Sequence, residues 1–163
     1  EIFGLTQGFV IDMSELQAKM RELQQKYHPD NFANDPANHI QSLMLSSQIN
    51  HAYQTLSKPL ERAIYLLKLN NVIVDLVHDT KFSHEFLFMQ IELREEIDDA
   101  KEQHDFDALE QIESKLKLAA QQREDDITTC FNRKDFVSVV ELIKELSFYA
   151  KLIQLVDEIL INL

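Results

Sequence analysis

The chain has 163 residues, 45% of them apolar, with two Gly, three Pro, no Trp and a formal charge of −12 at pH 7. That length holds one large domain or two small ones, and so few turn-forming residues favour ordered helix over β structure. The acidic balance argues against nucleic acid or an anionic membrane as the main partner, because phosphates reward an excess of Lys and Arg.

The first predicted helix starts at Asp12 and Glu15, a capping-box-like pair, and Leu16, Met20, Leu23 and Tyr27 fall on one face of it. Pro29 disfavours helical geometry in the residue before it, so His28-Pro29-Asp30 belongs to a loop that runs to Asp35. Asp35-Pro36 reads as an N-cap followed by Pro at the first helical position. Leu45, Ile49, Ala52 and Leu56 supply the apolar stripe of the helix that follows, and Lys58-Pro59 breaks it before another begins at Leu60. Two antiparallel helices around a loop are expected.

Asn70-Asn71 and the aperiodic stretch Val72 to Asp79 read as a boundary. Beyond it lie three long periodic segments, roughly 82–103, 105–131 and 135–162, with expected caps at Ser83, Asp105 and Asp135. The last has two apolar stripes, one through Leu142, Leu146, Tyr149, Ile153, Val156 and Leu160, the other through Phe148, Leu152, Leu155 and Ile159. A helix apolar on two sides packs between neighbours, so an antiparallel three-helix bundle is expected. Residues 1–70 hold 6 Lys or Arg and 7 Asp or Glu, net −1, which leaves 10 and 21, net −11, for residues 71–163. The two halves have different electrostatic roles.

No apolar run approaches the roughly 20 residues of a membrane span, so a soluble chain is expected. It opens at Glu1 rather than Met, which leaves room for native residues ahead of it, a removed leader included. Cys130, the single cysteine, cannot form an internal disulfide, which fits a reducing compartment, and reads as a small core side chain. No Glu-x-x-His pair, Gly-rich phosphate loop, nucleophile elbow or supported Cys-His grouping occurs, so neither a metal nor a cofactor is expected and an enzyme of its own is disfavoured. Asp75 and His78 read as a solvated surface pair.

The hairpin carries Tyr27-His28-Pro29-Asp30 at its tip, Lys19, Arg21 and Lys26 on its first helix, and Ile49-Asn50-His51-Ala52-Tyr53-x-x-Leu56 on its second. This arrangement resembles the J-domain of the DnaJ family. The resemblance implies that His28, Pro29 and Asp30 engage an ATPase chaperone and promote its ATP hydrolysis. Lys19 and Lys26, seven apart, share a face at the edge of the apolar stripe and suit steering toward an acidic surface, whereas Arg21 points elsewhere. Asn31 stands where J-domains often have Lys or Arg, which weakens local attraction.

The likeness extends through Pro59-Leu60-Glu61-Arg62-Ala63-x-Tyr65-Leu66-Leu67 and Phe86-Leu87-x-x-Gln90-Ile91-Glu92-Leu93-Arg94-Glu95-Glu96, stretches that resemble the HscB-like co-chaperones of iron–sulfur cluster assembly. It implies an all-α protein with a J-domain over 1–70, a linker over 71–80 and a scaffold-binding three-helix bundle over 81–163. The implied partners are the heat-shock ATPase HscA and the scaffold IscU. With no Cys-x-x-Cys pair, these residues lack the zinc-binding extension of eukaryotic relatives, so a bacterial, cytoplasmic protein is expected.

On a helical wheel Phe82, Phe86, Leu93, Ile97 and Ala100 cluster as a core-facing arc, while Leu87, Phe88 and Ile91 lie about 100 to 200 degrees from Phe86, beside Glu92, Glu95 and Asp99. An apolar patch rimmed by carboxylates is a candidate protein-binding face. By resemblance these six residues, with Phe148 on the third helix, match the scaffold-binding positions. Three rival functions stay open: a J-protein for a different client, a structural helical protein, and a metal-dependent enzyme.

Overall fold

The computed structural model describes residues 2–76, 78 and 81–162, and among these every regular element is helical. The chain divides into two compact units, Glu1–Asn71 and Val72–Leu163. The expected linker 71–80 includes Val77, Asp79 and Thr80, which lie outside the described residues.

The first unit contains α1 (Met13–Lys26), a 3-10 turn (Pro29–Phe32), α2 (Pro36–Ser57) and α3 (Pro59–Leu69). Asp12 caps α1 by accepting from the backbone N–H groups of Ser14 (2.8 Å) and Glu15 (3.2 Å), and Asp35 caps α2 by accepting from that of Asn38 (3.3 Å). Each cap satisfies N–H groups that a helix start leaves orphaned. Phe3, Leu16, Met20 and Ile49 form the buried centre, with Leu5, Ile11, Leu23, Tyr27, Ala52, Tyr53 and Leu56 packed around it. Arg62 is buried, stacks over the Phe9 ring (4.9 Å) and donates to the Leu56 carbonyl, one of those that the end of α2 leaves without an intrahelical partner.

One expected core position is corrected here. Leu45 is 38% exposed, and Ser42 is buried on the inner face of α2 instead. The inward stripe starts polar, with Ser42 donating to the His39 carbonyl (2.7 Å) and Ser46 to that of Tyr27 (3.0 Å), and becomes apolar only from Ile49 onward. Ile40, Leu43 and Met44 face outward.

The second unit contains α4 (His84–Glu102), α5 (Phe106–Arg133) and α6 (Phe136–Asn162). Ser83 caps α4 through the Phe86 N–H (3.1 Å), Asp105 caps α5 through that of Ala108 (3.0 Å), and Asp135 accepts from that of Ser138 (3.2 Å). Both connections are short, and His104 and Lys134 turn the chain with positive φ of 53° and 58°, the left-handed geometry that ends many helices. Connections this short make sequential helices antiparallel neighbours. Phe86, Ile97 and Ala100 of α4, Leu109, Ile112 and Leu116 of α5, and Tyr149, Leu152, Val156 and Ile159 of α6 share one buried cluster, with Phe82 and Leu93 packed against it. Lys144 is buried too, donating to the Lys81 carbonyl (2.9 Å), pairing with Glu141 (2.8 Å) and lying over the Phe82 ring.

Candidate functional site

Two surfaces carry the candidate residues, one on each unit. On the first, α1 ends at Lys26 because Pro29 cannot continue it, and the 3-10 turn carries the chain to α2. His28 caps that turn, its Nδ1 accepting the Asp30 N–H at 3.3 Å. An accepting Nδ1 leaves the proton on Nε2, so the ring offers a donor to an approaching partner. The Asp30 carboxylate lies 3.5 Å from the same Nδ1 and is well exposed, as is the His28 ring. The tripeptide thus presents a donor and an anion side by side, on a backbone stiffened by Pro29.

The cations beside it differ. Lys26 is exposed and lies over the Tyr27 ring at 5.2 Å. Lys19 is half-buried and pairs with Glu15 at 2.9 Å, one turn earlier on the helix, so much of its charge is answered within the chain. Arg21 is exposed. Asn31 donates to the Gln25 carbonyl at 2.8 Å, near the end of α1, which ties the loop to the helix it leaves. From α2, His39 Nδ1 meets the Pro29 carbonyl at 3.1 Å. Neither His39 nor Ser46 is among the residues expected from sequence. Their signal was the polar spacing 39, 42, 46 on a face assigned to apolar residues.

On the second unit, Leu87, Phe88 and Ile91 stand on α4 at 39%, 69% and 54% exposure, while Phe86 and Ile97 on the same helix are buried. Glu92, Glu95 and Asp99 are exposed and continue the line of Phe88 and Ile91 along the helix. Arg94 and Asp98 flank the other edge and are exposed as well. These six predicted residues share one face.

Phe148 does not join them. It is 8% exposed, with its ring edge-on to Phe86 (5.5 Å between centroids) and to Tyr149 (5.7 Å). It packs mainly as a core residue that holds α6 against α4, because the stripe through Phe148, Leu152 and Ile159 faces inward and only Leu155 of that set is exposed.

Among the described residues no group of three or more His, Cys, Asp or Glu is placed to hold a metal ion. Asp75 and His78 form the expected exposed surface pair, 2.8 Å apart. Cys130 is half-buried, and burial raises its thiol above the usual range, which makes it a poorer nucleophile. No described helix is long and apolar enough to cross a membrane.

A helical hairpin that exposes His-Pro-Asp, in one chain with a three-helix bundle, defines a J-domain protein. Residues 1–65 match the family model of the DnaJ domain, and residues 82–157 that of the HSCB C-terminal oligomerisation domain. The co-chaperone protein HscB homolog of Vibrio parahaemolyticus is 35% identical over 167 residues, covering 99% of this chain and 98% of that protein. The homolog from Neisseria meningitidis is 32% identical over 152 residues, covering 93% and 92%. Among solved structures, chaperone HscB from Vibrio cholerae superposes with a TM-score of 0.85 at 32% identity, covering 97% of this chain and 94% of that one. Human co-chaperone HscB superposes with a TM-score of 0.92 at 26% identity, covering 99% and 81%. The chain belongs to the HscB family of J-domain co-chaperones.

Proposed function

We propose that this protein binds the iron–sulfur cluster scaffold IscU through α4, delivers it to the heat-shock ATPase HscA, and stimulates HscA to hydrolyse ATP, in the cytoplasm of a bacterium. The observation that carries the reading is the pairing, within one chain, of an exposed His28-Pro29-Asp30 tip with an outward apolar trio rimmed by carboxylates. Leu87, Phe88 and Ile91 supply apolar area to a partner, and Glu92, Glu95 and Asp99 fix its orientation and speed the encounter. Lys26, and more weakly Lys19, steer the first unit to an acidic surface of the ATPase. Held at both ends, scaffold and ATPase meet at a high effective concentration without any new contact between them. Stimulated hydrolysis then traps the client, and the chain itself makes or breaks no bond.

The test is titration calorimetry of purified IscU into the wild type and into a Leu87/Phe88/Ile91→Ala variant. Saturable binding that the variant loses supports the scaffold assignment. Equal binding by both moves the site elsewhere, and no binding by a folded wild type leaves a J-domain co-chaperone for a different client.

A further inference from the structure

The backbone on either side of His28 is held from α2. Ser46 Oγ donates to the Tyr27 carbonyl (3.0 Å) and His39 Nδ1 meets the Pro29 carbonyl (3.1 Å), both in partly buried surroundings. A carbonyl oxygen can only accept, so His39 carries its proton on Nδ1 and donates. The two residues are seven apart, hence two turns along one face of α2, and Ser42 between them donates to the His39 carbonyl (2.7 Å). An inner helix face would ordinarily be apolar, but here two of its side chains, His39 and Ser46, donate to carbonyls of the loop, while Ser42 between them bonds back to its own helix. Removing a donor leaves a partly buried carbonyl without its partner, which favours loop conformations that expose it to water.

We infer that His39, seconded by Ser46, is a positioning residue: it fixes the Pro29 carbonyl so that His28 and Asp30 point outward together before any partner arrives. This rests on the proposed engagement of an ATPase by that tip. A loop ordered in advance loses less entropy on binding, so His39 acts on the concentration needed for half-maximal stimulation and leaves the maximum unchanged.

The experiment compares the wild type with His39→Leu, which has no donor, and His39→Asn, whose amide nitrogen sits where Nδ1 does. Two readouts are taken on the full chain: amide hydrogen exchange at Asn31 and Ala33, and the titration of HscA ATPase stimulation. Faster exchange confined to the loop in His39→Leu is expected, with the half-maximal concentration raised about 2- to 10-fold, the worth of one hydrogen bond. His39→Asn restores both. Unchanged loop exchange in His39→Leu, or faster exchange throughout the first unit, overturns the positioning role whatever the ATPase does. So does loop-confined exchange with an unchanged half-maximal concentration, or a loss of maximal stimulation alone. A wild type that fails to stimulate HscA defeats the proposed function instead, and the exchange readout still decides whether His39 holds the loop.

Discussion

Phe88 and Phe148 are the same residue type in one small bundle, and their surroundings separate them: 69% of Phe88 meets solvent, against 8% of Phe148. Truncating a buried aromatic removes its transfer energy and leaves a cavity, so Phe148→Ala is expected to cost about 3–5 kcal/mol in urea unfolding of the bundle. Phe88→Ala should stay within about 0.5 kcal/mol of wild type in stability, yet weaken scaffold binding at least about tenfold, as the most exposed member of the apolar trio. A Phe88→Ala variant that loses stability but keeps its affinity would reverse the two assignments. Phe88 was legible in the sequence because its helix has a clear core arc and Phe88 stands opposite it. Phe148 was not, because α6 is apolar on two sides, and periodicity alone does not say which of them is covered.

At the scale of elements, helix starts were the most legible feature, since Asp12, Asp35, Ser83, Asp105 and Asp135 each accept a backbone N–H. A short polar side chain before a helical period has few other uses. The inner face of α2 was the least legible, because hydrophobic periodicity assumes that buried means apolar. Around the tripeptide loop the buried groups are carbonyls, and the sequence answers them with His39 and Ser46 while Ile40, Leu43 and Met44 turn outward. Between α5 and α6 two carboxyls meet. A hydrogen bond with Glu113 raises Asp157 above the ordinary carboxylate range, while the same bond, aided by one from Lys117 (2.6 Å), holds Glu113 below it. The raised group contributes stability that is fully present below its unfolded pKa and is lost as pH rises through the folded one. The lowered group contributes above its unfolded pKa and loses that as pH falls through the folded one. Asp157→Asn keeps a donor toward Glu113 without a second charge. Its thermal midpoint should equal or exceed that of wild type at pH 7, and the difference should shrink as pH falls through the raised Asp157 pKa and wild-type Asp157 is protonated. A lower midpoint for Asp157→Asn at pH 7 would contradict an unfavourable apposition of the two carboxylates.

For the whole molecule, the proposed function assigns two halves of unequal charge to two kinds of partner. The near-neutral first half places Lys26 beside the tripeptide, whereas the second half, at net −11, lines its apolar trio with Glu92, Glu95 and Asp99. Exposed charges act mainly on the encounter and are screened by salt, with a Debye length of about 8 Å at physiological ionic strength. Replacing the three carboxylates with amides should therefore slow scaffold association and flatten its salt dependence in stopped-flow mixing, with dissociation little changed. An unaltered association rate would remove the acidic rim from the interface. The all-helical architecture was readable from composition and period. The expected partners came from the family resemblance alone, because an exposed apolar patch does not of itself say what it meets.

The central claim is that the exposed tripeptide drives a partner ATPase while the bundle supplies its client. Steady-state ATP hydrolysis by HscA tests it most directly, measured with wild type, His28→Gln, and the Leu87/Phe88/Ile91→Ala variant, each with and without IscU. Stimulation by the wild type, lost in His28→Gln, and a scaffold synergy lost only in the patch variant are the predicted results. An HscA rate that a folded wild type leaves unchanged, or that His28→Gln raises as well as wild type does, would contradict it.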